Sequence, residues 1–297
     1  MYQIKNILFP IDLPSADENA FKYAVEIGNR LGAVITLFHV YTTPGEDAAE
    51  IDFDTLENIF VGEMQGFVNG FFRNYSKDRL ANMKIQYATA QGNFINQTIV
   101  YCRGNGIDLV VMGVSKRNRF AEILFGSSTQ GILDHVEIPV LFVPKYARFK
   151  ELNRIVYASN LDDGNITALN NLKSYSKICK KIDLKLLYLH DDALAEDELR
   201  GADWFEFADA NPKITWQVLS NNDEIDLLEE YLEKNHEEID ILAMLHKKRG
   251  MFEGFFRRNL AREMSYNETT PLLVFQSETG RLRGFLPKGA MLSFLIV

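Results

Sequence analysis

Two short blocks recur at a single spacing, and that recurrence limits the folds open to this chain more than any other feature. Asp108-Leu-Val-Val-Met-Gly113 returns as Asp240-Ile-Leu-Ala-Met-Leu245, and Pro139-Val-Leu-Phe-Val143 returns as Pro271-Leu-Leu-Val-Phe275. Both pairs stand 132 positions apart (108 to 240, 139 to 271). A third block, Asn6 to Asp12, is answered by Arg154 to Asn160 at an offset of 148 (6 to 154). Two landmarks at one offset mark an internal duplication, and the larger third offset makes the second copy shorter in its middle. A length of 297 residues suits two domains of about 100–200 residues, each able to bury its own core.

Within the first copy the pattern alternates between strand and helix. Asn6 to Ile11 is a short apolar run. Ser15 and Glu18 have capping-box spacing, and Ala20, Phe21, Ala24, Val25, Gly28 and Leu31 recur at helical spacing, with Gly32 placed to stop the helix. Val34 to Tyr41 is rich in β-branched and aromatic residues. A turn and a solvated acidic stretch follow. Then Leu56, Ile59, Phe60, Met64, Phe67, Val68, Phe71 and Phe72 form an apolar helical stripe that reads as a core face. Ile85 to Ala90 is a strand, Ile95 to Cys102 a helix, and Asp108 opens another strand. Strands alternating with helices predict a parallel sheet covered on both faces. In the second copy a helix is expected over Ala168 to Cys179 and a strand over Leu184 to His190.

The stretch from Gly113 to Ser128 carries the chemistry. A strand that stops at a glycine, followed by Gly126-Ser127-Ser128 at a helix start, presents backbone N–H groups to an anion. It is neither a Walker loop nor a dinucleotide fingerprint. It resembles the signature of the universal stress protein family: Gly, two residues, Gly, nine residues, Gly, then Ser or Thr. Gly113, Gly126 and Ser127 match in type and spacing, whereas Lys116 stands at the second glycine.

The resemblance implies an α/β fold of two tandem Rossmann-like (adenine nucleotide alpha hydrolase-like) domains, residues 1–147 and 148–279, each a parallel five-stranded sheet with helices on both faces. A tail, 280–297, has no counterpart in the first copy. The halves are expected to meet through Val140–Val143 and Leu272–Phe275 as an intrachain pseudo-dimer, with a further homodimer left open. In the family's ATP-binding members, residues at the ends of the first strands hold the nucleoside and the glycine loop holds the phosphates. Here those positions are Asp12, Val40, Met112, Gly113, Lys116, Gly126, Ser127 and Ser128, with Lys116 either blocking a phosphate or turning its ammonium toward one. ATP in the N-terminal domain is the one cofactor implied. In the second copy Asn160, Leu245, Arg258 and Asn259 replace the matching residues, so no ATP is expected there.

The functional expectation is a cytoplasmic regulatory protein of universal stress type, non-enzymatic, with an unidentified protein partner. Two alternatives stay open: an interaction module without nucleotide, and a slow ATPase that modifies Ser127 or Ser128. The net charge of −9 argues against nucleic acid, and no stretch approaches the ~20 apolar residues of a membrane span. The basic cluster from Lys247 to Arg258, interleaved with Phe252, Phe255 and Phe256, reads either as a solvated rim or as a grip on an anionic partner. Cys102 and Cys179 have no ligand-spaced neighbours and read as small buried residues. His39 and His190, at matching strand ends, suggest packing or hydrogen bonding more than a metal.

Overall fold

The computed structural model describes residues 3–13, 16–42, 53–75, 83–114, 127–159, 183–190, 214–220, 223–246 and 269–276. The first half runs β1 (Asn6–Pro10), α1 (Glu18–Leu31), β2 (Val34–Tyr41), α2 (Phe53–Asn74), β3 (Ile85–Gln91), α3 (Phe94–Gly104), β4 (Leu109–Val114), α4 (Ser127–His135) and β5 (Val140–Pro144). The second half supplies β6 (Arg154–Ser159), β7 (Asp183–His190), β8 (Ile214–Ser220), α5 (Glu224–Asn235), β9 (Ile241–His246) and β10 (Leu272–Gln276). The helix expected over Ala168 to Cys179 lies outside the described residues, as do the tail and the basic cluster.

The two expected five-stranded sheets are halves of one ten-stranded sheet, ordered β3-β2-β1-β4-β5-β10-β9-β6-β7-β8. Read outward from the middle, each half has the same order, and every pairing within a half is parallel. Only the seam is antiparallel, with Leu272 opposite Phe142, Leu273 opposite Leu141 and Val274 opposite Val140.

Strands covered on both faces need apolar side chains at odd and even positions alike, which is why these runs are continuous rather than alternating. One core cluster takes Ile7, Phe9, Leu37, Val111 and Leu141 with α1 and α2, and continues through Tyr157, Leu186, Ala243 and Leu273. The opposite face takes Leu8, Phe38, Val110 and Phe142 with α3 and α4, and continues through Val156, Leu187, Met244 and Val274. Both cores therefore cross the seam. Phe21 of α1 anchors the first, its ring 5.2 Å from Phe67 and 4.9 Å from Phe71 of α2. Ile59 departs from the expected stripe: it is 49 % exposed, while its neighbour Phe60 takes the sheet-facing position of that turn against Tyr41 of β2.

The aspartates that open the repeated blocks have one job. Asp108 Oδ2 accepts from the backbone N–H groups of Lys5 (2.7 Å) and Asn6 (3.0 Å), and Asp240 Oδ2 accepts from those of Asn153 (2.7 Å) and Arg154 (2.8 Å). Each carboxylate satisfies donors at the start of the neighbouring strand, β1 or β6, so the duplication extends to individual hydrogen bonds.

Helix α1 corrects one expectation. Its N-cap is Asp17, not Ser15: Asp17 has extended backbone, and its Oδ1 accepts from Asn19 N and Ala20 N, both at 3.0 Å. Ser15 lies outside the described residues. An Asp at the N-cap serves the unpaired first-turn donors as well as a Ser does, and its charge also suits the positive end of the helix.

Candidate functional site

At the carboxyl ends of β1, β2 and β4, on the face shared with α3 and α4, three expected site residues come together. Val40 and Met112 are half-buried against the second core cluster. Asp12 follows β1 and is exposed. The pairing puts Pro10 beside Phe38, and Ile11 N continues the ladder by donating to Phe38 O at 2.9 Å. Alternation therefore carries Asp12 to the side on which Val40 lies. His39 secures this turn: its Nδ1 donates to Ile11 O at 3.0 Å, which sets the tautomer, while its ring lies 4.7 Å from that of Phe60. The result is a half-buried apolar surface of Val40 and Met112 on the side to which the exposed Asp12 carboxylate is carried.

Gly113 points to the opposite face, toward α1. A Cβ there would stand 2.5 Å from Asp17 Oδ2 and 2.7 Å from Asp17 Cβ. The glycine is thus required by close approach of the α1 N-cap, a contact 96 residues away in sequence (17 to 113) and invisible in it. Asn19 holds that helix end down by donating through Nδ2 to Pro144 O at 3.0 Å. Burial raises the Asp17 carboxyl above its ordinary value of 3.8, opposed by the two cap N–H groups and by Lys145. Where a phosphate would need bare backbone, a carboxylate already stands beside Gly113. Sequence reasoning missed Asp17 as a residue of this site; the one available signal was a second cap-competent residue two positions after Ser15.

Ser127 and Ser128 open α4, as expected of a helix-start motif; their side chains, with Lys116 and Gly126, lie outside the described residues. The helix they open is seated by Gly131, where any Cβ would run into Ile95 Cδ1 of α3. The bare crossing lets α3 and α4 lie close together on the sheet.

The second half differs at the matching strand end. Leu245 is 3 % exposed and belongs to the first core cluster, so a side chain enters the core where Gly113 has none. His246 is buried, with Nδ1 3.1 Å from Gln276 Oε1 and Nε2 3.7 Å from Asp134 Oδ1 across the seam. Cys102 is buried and its thiol is pushed up to about 12 by burial, the inert state of a core residue. Among the described residues, no group of three or more His, Cys, Asp or Glu could hold a metal ion, and no helix is long and apolar enough to cross a membrane.

A duplicated, doubly wound sheet of this strand order is a Rossmann-like fold. The model of the universal stress protein family matches residues 3–63 and 79–144, so the first half of the chain is similar to that family. The whole fold resembles a universal stress protein from Archaeoglobus fulgidus, 18% identical, covering 93% of this chain and 97% of that one at a TM-score of 0.62. It also resembles a putative universal stress protein from Pseudomonas aeruginosa, 15% identical, covering 92% of this chain and 93% of that one at a TM-score of 0.59. Half-length neighbours include a universal stress protein solved in complex with cAMP, 14% identical over 47% of this chain and 96% of its own, with a TM-score of 0.35. No curated protein matches the chain.

Proposed function

We propose that the protein is a cytoplasmic regulatory protein of universal stress type that senses an adenine nucleotide in its first half and performs no chemistry on it. The observation that supports this reading is the grouping of Asp12, Val40 and Met112 on one face of the β1, β2 and β4 ends, where ligands of open parallel sheets bind. In this reading Val40 and Met112 stack against the base, Asp12 accepts hydrogen bonds from the nucleoside, and the first turn of α4 faces the phosphates. ATP would enter only the first half, since Asn160, Leu245, Arg258 and Asn259 stand at the matching positions of the second.

Asp17 favours a second reading, an interaction module that binds no nucleotide. A half-buried carboxylate beside Gly113 repels a polyphosphate that approaches the same backbone. The two readings separate in calorimetric titrations with adenosine, AMP and ATP on the wild type and on Asp12→Ala. Saturable binding that Asp12→Ala weakens about tenfold or more supports the first. Heat at the baseline for all three ligands at millimolar concentration supports the second. Release of ADP above background would replace both with the ATPase alternative.

A further inference from the structure

A cleft of about 460 Å³ opens where the chain leaving β5 passes the chain entering β9 and β10. Its walls come from separate parts of the chain. Tyr23 of α1 belongs to the first half, Tyr146, Arg148 and Lys150 to the connection between β5 and β6, and His236 and Glu237 to the short 3-10 helix His236–Glu238.

Two features set it apart from an accidental surface fold. First, among the described residues neither Arg148 nor Lys150 is in an ion pair, although the chain as a whole is acidic and exposed cations have many carboxylates to choose from. Asp240, also in the wall, directs Oδ2 to the Asn153 and Arg154 N–H groups, which spread its charge over two peptide donors. Glu237 is exposed, so water screens it. Second, Tyr23 is only 2 % exposed, and that remainder opens on the cleft. Among the described residues its hydroxyl makes no hydrogen bond, although its ring is held edge-on against Phe149 at 5.0 Å. A buried phenol kept protonated by its surroundings is a donor awaiting an acceptor.

We infer that this cleft binds a small organic oxyanion, a phosphate or a carboxylate compound, with the acid group held by Arg148 and Lys150 and an oxygen accepting from the Tyr23 hydroxyl. The volume fits a ligand of metabolite size, and the exposed Tyr146 ring (55 %) offers a face for its carbon skeleton. Because the walls are drawn from both halves and from the connection between them, an occupant would brace the two halves against each other. The site is independent of the nucleotide reading and needs no base.

The test uses the full chain and two probes without a nucleobase, inorganic pyrophosphate and malonate, followed by calorimetry at low salt. Binding of at least one probe with a Kd of about 1 mM or tighter is expected. Arg148→Ala with Lys150→Ala should weaken it about tenfold or more. Tyr23→Phe, which keeps the ring and removes only the hydroxyl, should weaken it several-fold. Asp12→Ala should leave it unchanged. Preference for pyrophosphate or malonate tells the phosphate class from the carboxylate class. The inference is overturned if neither probe saturates, if the double variant binds like the wild type, or if Asp12→Ala abolishes the binding.

Discussion

The fourth strand of the first half, β4, reaches Gly113 at the position where its counterpart in the second half, β9, reaches Leu245. Both residues point to the face that carries the first core cluster. At Gly113 the missing side chain makes room for the Asp17 carboxylate and the start of α1; at Leu245 the side chain enters the core and is all but sealed from solvent. A parallel sheet tolerates either answer at a strand end. The first keeps bare main chain beside the Asp17 carboxylate, and the second fills the matching position with a side chain. The aspartates that clamp the start of β1 and β6 show the reverse, an arrangement retained in both copies with nearly equal distances.

Exchanging the two strand ends strains this contrast most. Leu245→Gly should cost about 3–5 kcal/mol in urea denaturation, since it leaves a cavity and adds backbone freedom within a strand. A cost under about 1 kcal/mol would mean that Leu245 does not fill the core. Gly113→Leu should cost about 2–4 kcal/mol, from overpacking onto Asp17 and loss of the α1 cap. It should also remove any nucleotide binding seen by calorimetry.

Where the copies agree, the effects should agree. Asp108→Ala and Asp240→Ala should each cost about 1–3 kcal/mol, because each strands two backbone donors. A difference between them larger than about 1 kcal/mol would break the equivalence. The smallest effect belongs to Asp17→Asn, which retains the cap. Burial raises the folded-state pKa of Asp17, so its contribution is fully present below about 3.8 and is lost as pH rises through the raised value. The variant should therefore match the wild type in strong acid and exceed it modestly at neutral pH, as read from denaturation midpoints across pH. The same change should tighten ATP several-fold while leaving adenosine unaltered, because it removes a like charge near the phosphates.

Much of the fold could be read from the chain because parallel strands buried on both faces leave unbroken apolar runs. The repeats at Asp108 and Asp240, and at Pro139 and Pro271, gave the duplication and both sides of the seam. Strand β8 and helix α5, over Ile214 to Asn235, received no assignment: Ile214-Thr-Trp-Gln-Val-Leu-Ser220 is half-buried at an edge and mixes polar with apolar residues. The candidate site was legible only in part. Asp12, Val40 and Met112 came from the resemblance to the ATP-binding universal stress proteins. Gly113 looked like an opening for phosphate because its neighbour Asp17 comes from a distant part of the chain, and no local pattern reports a contact of that range. Ile59 was placed on the stripe yet faces water, since two adjacent apolar residues cannot both face the sheet squarely and Phe60 takes that place.

The antiparallel meeting of β5 and β10 has a consequence for how this molecule holds together. Each half lends the other the edge that it would otherwise leave bare, and a covalent tether of a few residues keeps the two at high effective concentration. Closure of that joint is thus a unimolecular event, and its strength is set by the chain itself, unchanged by dilution.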